Sequence, residues 1–141
     1  MKQKKLTIQS KTAELNKVRE FVSAAAQEFG FSDEEVSTIA LAVDEACTNV
    51  IKHAYKYDSS RSLSITINPD KKRFEVLVTD TGLQFDPDGL QTPDMREYIA
   101  HLRKGGLGVY LMKNLMDEVE YQIEPGRKNE VRLIKYLKHR G

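Results

Sequence analysis

An α+β fold, a two-layer α/β sandwich with helices on one face of a mixed, mostly antiparallel sheet, is what this 141-residue sequence predicts. Three observations carry the prediction. Leu63, Ile65 and Ile67 alternate with polar residues, as do Phe74, Val76 and Val78, and Asn68-Pro69-Asp70-Lys71 reads as the turn between them. Val119, Tyr121 and Ile123 alternate in the same way before Pro125-Gly126 and a last strand over 129–137. Elsewhere, apolar residues recur at spacings of three and four, which marks helices. Antiparallel hairpins with helices gathered elsewhere in the chain pack as two layers.

The elements follow in order. Residues 5–9 alternate, with Leu6 and Ile8 on one face, and predict a short strand. A helix over about 12–29 carries the stripe Leu15, Val18, Val22, Ala25 and Phe29, and Gly30 stops it. Ser32 and Glu35 form a capping box, and Phe31 is placed to staple onto Val36. The second helix then runs to about Tyr55 on the stripe Val36, Ile39/Ala40, Val43, Cys47, Val50 and Ala54. Between Asp80 and Lys104 the pattern loosens; a long loop inside a compact domain often serves as a lid. Within it, a short helix after Thr92-Pro93 would bury Met95, Ile99 and Leu102. A helix at about 106–116 follows, with Val109, Leu111, Met112, Leu115 and Met116 apolar.

Bulk properties narrow the function. The length fits one domain, residues 1–141, and 40% hydrophobic with 30% charged residues is ordinary for a globular chain. A net charge of +1 gives no electrostatic reason for nucleic acid or an anionic membrane as partner. No apolar run reaches spanning length, and no apolar signal segment follows the basic Met1-Lys2-Gln3-Lys4-Lys5. Cys47 is the only cysteine, so no internal disulfide forms. Together these point to the cytoplasm.

Three short stretches carry chemistry. On the wheel of the second helix, Glu45, Asn49 and Lys52 share one narrow sector opposite the apolar stripe, facing solvent or something bound. A solvated polar face is the plain reading of them, and a carboxylate beside a metal-binding amide is the other. Asp80-Thr81-Gly82 ends a strand; it reads either as turn chemistry or as a buried carboxylate accepting from a base's exocyclic amine, with Gly82 admitting the base. Gly105-Gly106-Leu107-Gly108 opens a helix behind Arg103 and Lys104, and serves either as a joint or as a phosphate cradle. No Gly-Lys-Ser/Thr follows, so it is not a Walker loop. His53 belongs to no metal-ligand spacing, Cys47 lies on the apolar stripe as inert core, and Tyr98, Tyr110, Tyr121 and Tyr136 need no special role.

With these residues in place, the chain resembles the GHKL (Bergerat-fold) ATPase and kinase superfamily, and within it the bacterial anti-sigma factor serine/threonine-protein kinases. Residues 44–55, from Asp44-Glu45 through Asn49 to Tyr55, are similar to the N box. Asp80-Thr81-Gly82-Leu83-Gln84-Phe85-Asp86-Pro87 is similar to the first glycine box. Gly105-Gly106-Leu107-Gly108-Val109-Tyr110-Leu111-Met112 is similar to the second, which Met116-Asp117-Glu118-Val119 continues. Gln84 stands where the broader superfamily has another glycine, a departure shared by some members of the subgroup.

The resemblance implies ATP and Mg²⁺ as cofactors. Glu45 would be the general base and Asn49 the Mg²⁺ ligand. Asp80 would read adenine beside Gly82, and residues 83–104 would form the ATP lid. Gly105, Gly106, Leu107 and Gly108 would cradle phosphates, with Arg103 or Lys104 neutralising charge. It further implies a protein that sequesters a sigma factor and phosphorylates an anti-anti-sigma (STAS) antagonist, commonly as a homodimer. An ATP-gated binding module without phosphotransfer, or a domain that binds no nucleotide, are the other readings of these residues.

Overall fold

Alternation along five segments becomes five strands in the computed structural model, which describes residues 1–55, 57–80, 112–124 and 128–138. They are β1 (Lys4–Gln9), β2 (Ser62–Asp70), β3 (Arg73–Asp80), β4 (Glu118–Glu124) and β5 (Lys128–Tyr136). Their order in the sheet is β1-β2-β3-β5-β4. Every pairing among them is antiparallel, so the described sheet has no parallel member of the mixed arrangement expected from sequence. Register sets the inner face. Leu6, Ile65, Val78 and Val131 lie in one row across the sheet, and Ile8, Leu63, Asp80 and Asn129 in the next.

The β2–β3 turn sits later than the sequence suggests. Asn68, Pro69 and Asp70 remain in β2, Asp70 pairs with Arg73, and Lys71 takes a left-handed φ of 53°. Pro69 is tolerated because β1 stops pairing at Ile67, so the missing N–H breaks no ladder bond with β1.

Two helices cover the inner face. A 3-10 turn (Thr12–Glu14) leads into α1 (Leu15–Phe29), which buries Leu15, Val18, Val22, Ala25 and Ala26. Gly30 ends it at φ 112°, where the Phe31 N–H closes back on the Ala26 carbonyl at 3.2 Å. The helix α2 (Asp33–Asn49) begins with the expected capping box: the Glu35 N–H donates to Ser32 Oγ at 3.2 Å, and the Ser32 N–H donates to Glu35 Oε1 at 3.0 Å. Asp33, Glu34 and Glu35 in its first turn suit the positive end of the helix dipole. Ser32→Ala removes one member of this reciprocal pair and is expected to lower stability by about 1 kcal/mol, read from the midpoint of urea unfolding.

The expected α-helix to Tyr55 changes winding before it ends. After Asn49 the chain forms a π-helix, Val50–Ala54, and the Tyr55 N–H donates to the Val50 carbonyl at 2.8 Å. Such turns insert one extra residue into the helix and gather at functional positions.

The core lies between the layers. Phe74 on β3 is fully buried and meets Phe29 at 5.2 Å and Phe31 at 5.5 Å between ring centroids. Residues 112–115 are helical, with Met112 and Met116 buried, and Lys135 Nζ donates to the Leu115 carbonyl at 2.9 Å. Among the described residues, no helix is long and apolar enough to cross a membrane. The lid over 83–104, the helix after Thr92-Pro93, the first part of the 106–116 helix and the Pro125-Gly126 turn lie outside the described residues.

Candidate functional site

The wheel put Glu45, Asn49 and Lys52 on one face turned from the core, and the structure separates them. Lys52 is exposed, Glu45 is half-buried, and Asn49 is only 5% exposed. The buried arc of α2 is wider than its apolar stripe, because Ala42 and Ala46 are also fully buried. Alanine adds little apolar signal to a wheel, yet its small side chain lets neighbours approach closely. Asn49, one turn beyond Ala46, therefore sits at the margin of the core rather than on the solvent side. A buried amide there is costly unless it is hydrogen-bonded, so its position is specified rather than incidental.

Asp80 is the last residue of β3 and is 1% exposed. Its carboxylate accepts a hydrogen bond from Asn129 Nδ2 at 3.2 Å, across the pairing of β3 with β5. Asn129 is equally buried. The turn reading of Asp80 thus gives way to a buried carboxylate held by a neighbouring strand.

One end of the sandwich gathers these groups. The extension of α2 returns to the sheet where Tyr55 OH donates to the Ser62 carbonyl at 2.8 Å. The next residue, Leu63, pairs with Asp80. The helix that carries Glu45 and Asn49 therefore reaches the sheet at the end that carries Asp80 and Asn129. Gly82, Arg103, Lys104, Gly105, Gly106, Leu107 and Gly108 lie outside the described residues.

Sequence reasoning passed over Asn129 and Ser10, although a signal was present. Asn129 stands in step with Val131 and Leu133, and Ser10 in step with Leu6 and Ile8. Asn129 is a polar residue at a core phase of β5, Ser10 continues the core phase of β1 one residue past its end, and each is 1% exposed. The Ser10 N–H donates to the Arg61 carbonyl at 2.9 Å at this same end.

The remaining candidates resolve simply. Burial, with a smaller contribution from the Asp44 charge, pushes the Cys47 thiol far above its ordinary range, so it stays protonated and unreactive. Arg19 pairs with Asp44 at 2.8 Å across α1 and α2, a surface contact of little energetic weight. Burial pushes the Tyr121 hydroxyl up to about 12, and Tyr136 OH donates to Glu118 Oε2 at 2.6 Å. The side chain of His53 and residues Tyr98 and Tyr110 are outside the described set. No cluster of three His, Cys, Asp or Glu side chains that could hold a metal occurs among the described residues.

Residues 8–135 match the histidine kinase-like ATPase domain. The chain is 40% identical to the serine-protein kinase RsbW of Bacillus subtilis over 125 residues, covering 85% of this chain and 76% of that protein. It is 38% identical to RsbW of Bacillus licheniformis over 113 residues, 77% of this chain and 71% of that one. With RsbW of Halalkalibacterium halodurans it shares 37% identity over 125 residues, 86% and 76% of the two chains. Its fold is like that in a crystal structure of the RsbU and RsbW domains of a Mycobacterium tuberculosis protein, at a TM-score of 0.68 and 15% identity. That likeness covers 97% of this chain and 33% of the other. With the family match running through α2, β3 and β5, the chain belongs to the histidine kinase-like ATPase domain family.

Proposed function

We propose that this protein is a cytoplasmic anti-sigma factor that sequesters a sigma factor and, with ATP and Mg²⁺, phosphorylates an anti-anti-sigma (STAS) antagonist on Ser or Thr. The observation that carries the reading is the 40% identity over 125 residues to a serine-protein kinase RsbW. The geometry supports it, since Glu45, Asn49 and Asp80 all fall within the matched span and converge on one end of the sandwich.

The donor set fits the cofactors. Asn49 offers a hard amide oxygen at a buried position, and Mg²⁺ accepts few protein ligands when phosphates and water complete its shell. Asp80, a buried acceptor, suits the exocyclic amine of adenine. When bound, ATP supplies the phosphoryl group. Glu45 would take the proton of the antagonist's hydroxyl as that oxygen receives the phosphoryl group and ADP leaves; it is open enough to meet a protein substrate and close enough to the core to be held in place. Gly82 would let the base approach. Gly105, Gly106, Leu107 and Gly108 would receive the phosphates, and Arg103 or Lys104 would offset their charge. Homodimerisation belongs to the same proposal, with β1 and β4 as the edge strands of the described sheet.

The test pairs the protein with γ-labelled ATP, Mg²⁺ and candidate STAS proteins. Label on a single Ser or Thr of one antagonist is the expected result. Tight ATP binding without label on any of them would instead leave an ATP-gated binding module. Melting scans add an independent check: ATP·Mg²⁺ at about 100 times its Kd should add roughly 2.7 kcal/mol of stability. A melting temperature that does not move at millimolar ATP would overturn the nucleotide reading altogether.

A further inference from the structure

The buried pair Asp80 and Asn129 holds an unused acceptor. Asn129 Nδ2 donates to Asp80 at 3.2 Å, while Asn129 Oδ1 is buried and accepts no hydrogen bond among the described residues. Nδ2 is the end of the amide turned toward the Asp80 carboxyl, and Oδ1 is its other end. Support of the carboxylate therefore explains one end of this side chain and leaves the other unexplained. Valine would fit the strand better, for Asn129 keeps step with Val131 and Leu133 on the inner face. A buried polar atom left without a partner is destabilising, and a native protein retains few of them.

We propose that Asn129 is a specificity-determining residue for the nucleobase, with Oδ1 accepting one N–H of a purine's exocyclic amine while Asp80 accepts the other. The inference rests on Asp80 as the base-reading carboxylate. It adds a second acceptor, supplied by a different strand. An amino group presents two N–H donors, and two buried acceptors on paired strands match that edge. A 6-oxo purine presents a carbonyl there instead, which would face two acceptors and satisfy neither. The pair thus favours adenine over hypoxanthine or guanine by repulsion as well as by attraction.

The experiment compares ATP with inosine triphosphate for the protein and for Asn129→Val, Asn129→Thr and Asp80→Asn, by titration calorimetry. In the native protein ATP is expected to bind more tightly than inosine triphosphate. Asn129→Val is expected to shrink that preference about tenfold, chiefly through weaker ATP binding, while Asn129→Thr, which restores an acceptor, recovers part of it. If Asp80→Asn abolishes the preference and Asn129→Val leaves it intact, the role of Asn129 is overturned and the nucleotide reading survives. If Asp80→Asn also leaves the preference intact, both fall. Should Asn129→Val not fold, the native protein still decides with N6-methyl-ATP, which has lost one of the two N–H donors. Binding about tenfold weaker than ATP supports the pair of acceptors, and equal binding overturns it.

Discussion

A Glu45→Gln protein is expected to bind ATP and its sigma partner normally and to phosphorylate its antagonist about 10²- to 10⁴-fold more slowly. Glutamine keeps the size and much of the hydrogen-bonding capacity of glutamate but cannot take up a proton at neutral pH. Only the step that needs a base should therefore suffer. Glu45 lies one turn before Asn49 on α2, half-buried beside a buried neighbour, so the substitution disturbs no packed core. The measurement is the initial rate of label transfer at saturating ATP, set beside ATP affinity and capture of the sigma factor. A loss of rate with both affinities retained separates the chemical step from sequestration. An unchanged rate would remove the general-base role from Glu45, and a parallel loss of ATP affinity would make it a binding residue.

Phe74→Ala is the change expected to cost the most stability, about 3–5 kcal/mol. The ring is fully buried on β3 and stands between Phe29, at the end of α1, and Phe31, just before α2. It closes the corner where both helices meet the sheet. Its truncation removes apolar burial and leaves a cavity among rigid neighbours, against a total stability of only about 5–15 kcal/mol for a typical domain. Equilibrium urea unfolding measures the loss. A cost below about 1 kcal/mol would mean that Phe29 and Phe31 collapse into the space. Phe74 and Asp80 occupy opposite ends of one strand. The variant should therefore still transfer phosphate when assayed well below its melting temperature.

Legibility from sequence varied with the kind of signal. The capping box at Ser32 and Glu35 and the stop at Gly30 were plain, because each depends on local backbone chemistry that its own residues specify. The strands were plain for a similar reason, since one buried face imposes a period of two. The β2–β3 turn lies later than Pro69 suggests because β1 pairs only as far as Ile67, so Pro69 can stay in β2 without costing a bond to β1, which no local pattern records. The π-helix after Asn49 was invisible, as its residues suit an α-helix equally well and only the tertiary hand-over to β2 selects the wider turn.

Burial at the site was the least legible property. Asn49 reads as solvent-facing because the stripe Val36, Ile39/Ala40, Val43, Cys47, Val50 and Ala54 leaves out Ala42 and Ala46, which widen the buried arc. Asn129 escaped notice because its partner, Asp80, is 49 residues away in sequence. The rule that would have found it is simple: a polar residue in step with buried strand neighbours needs a reason.

The row Ile8, Leu63, Asp80 and Asn129 carries a warning for anyone who would engineer this chain. Two of its four members are polar in a row that faces the core. A thermostabilisation campaign guided by core quality alone would choose those two positions early and would be rewarded with a higher melting temperature. The improved protein would still fold, cap its helices and present the same outer surface to its partners, but it would have exchanged its regulator for a scaffold.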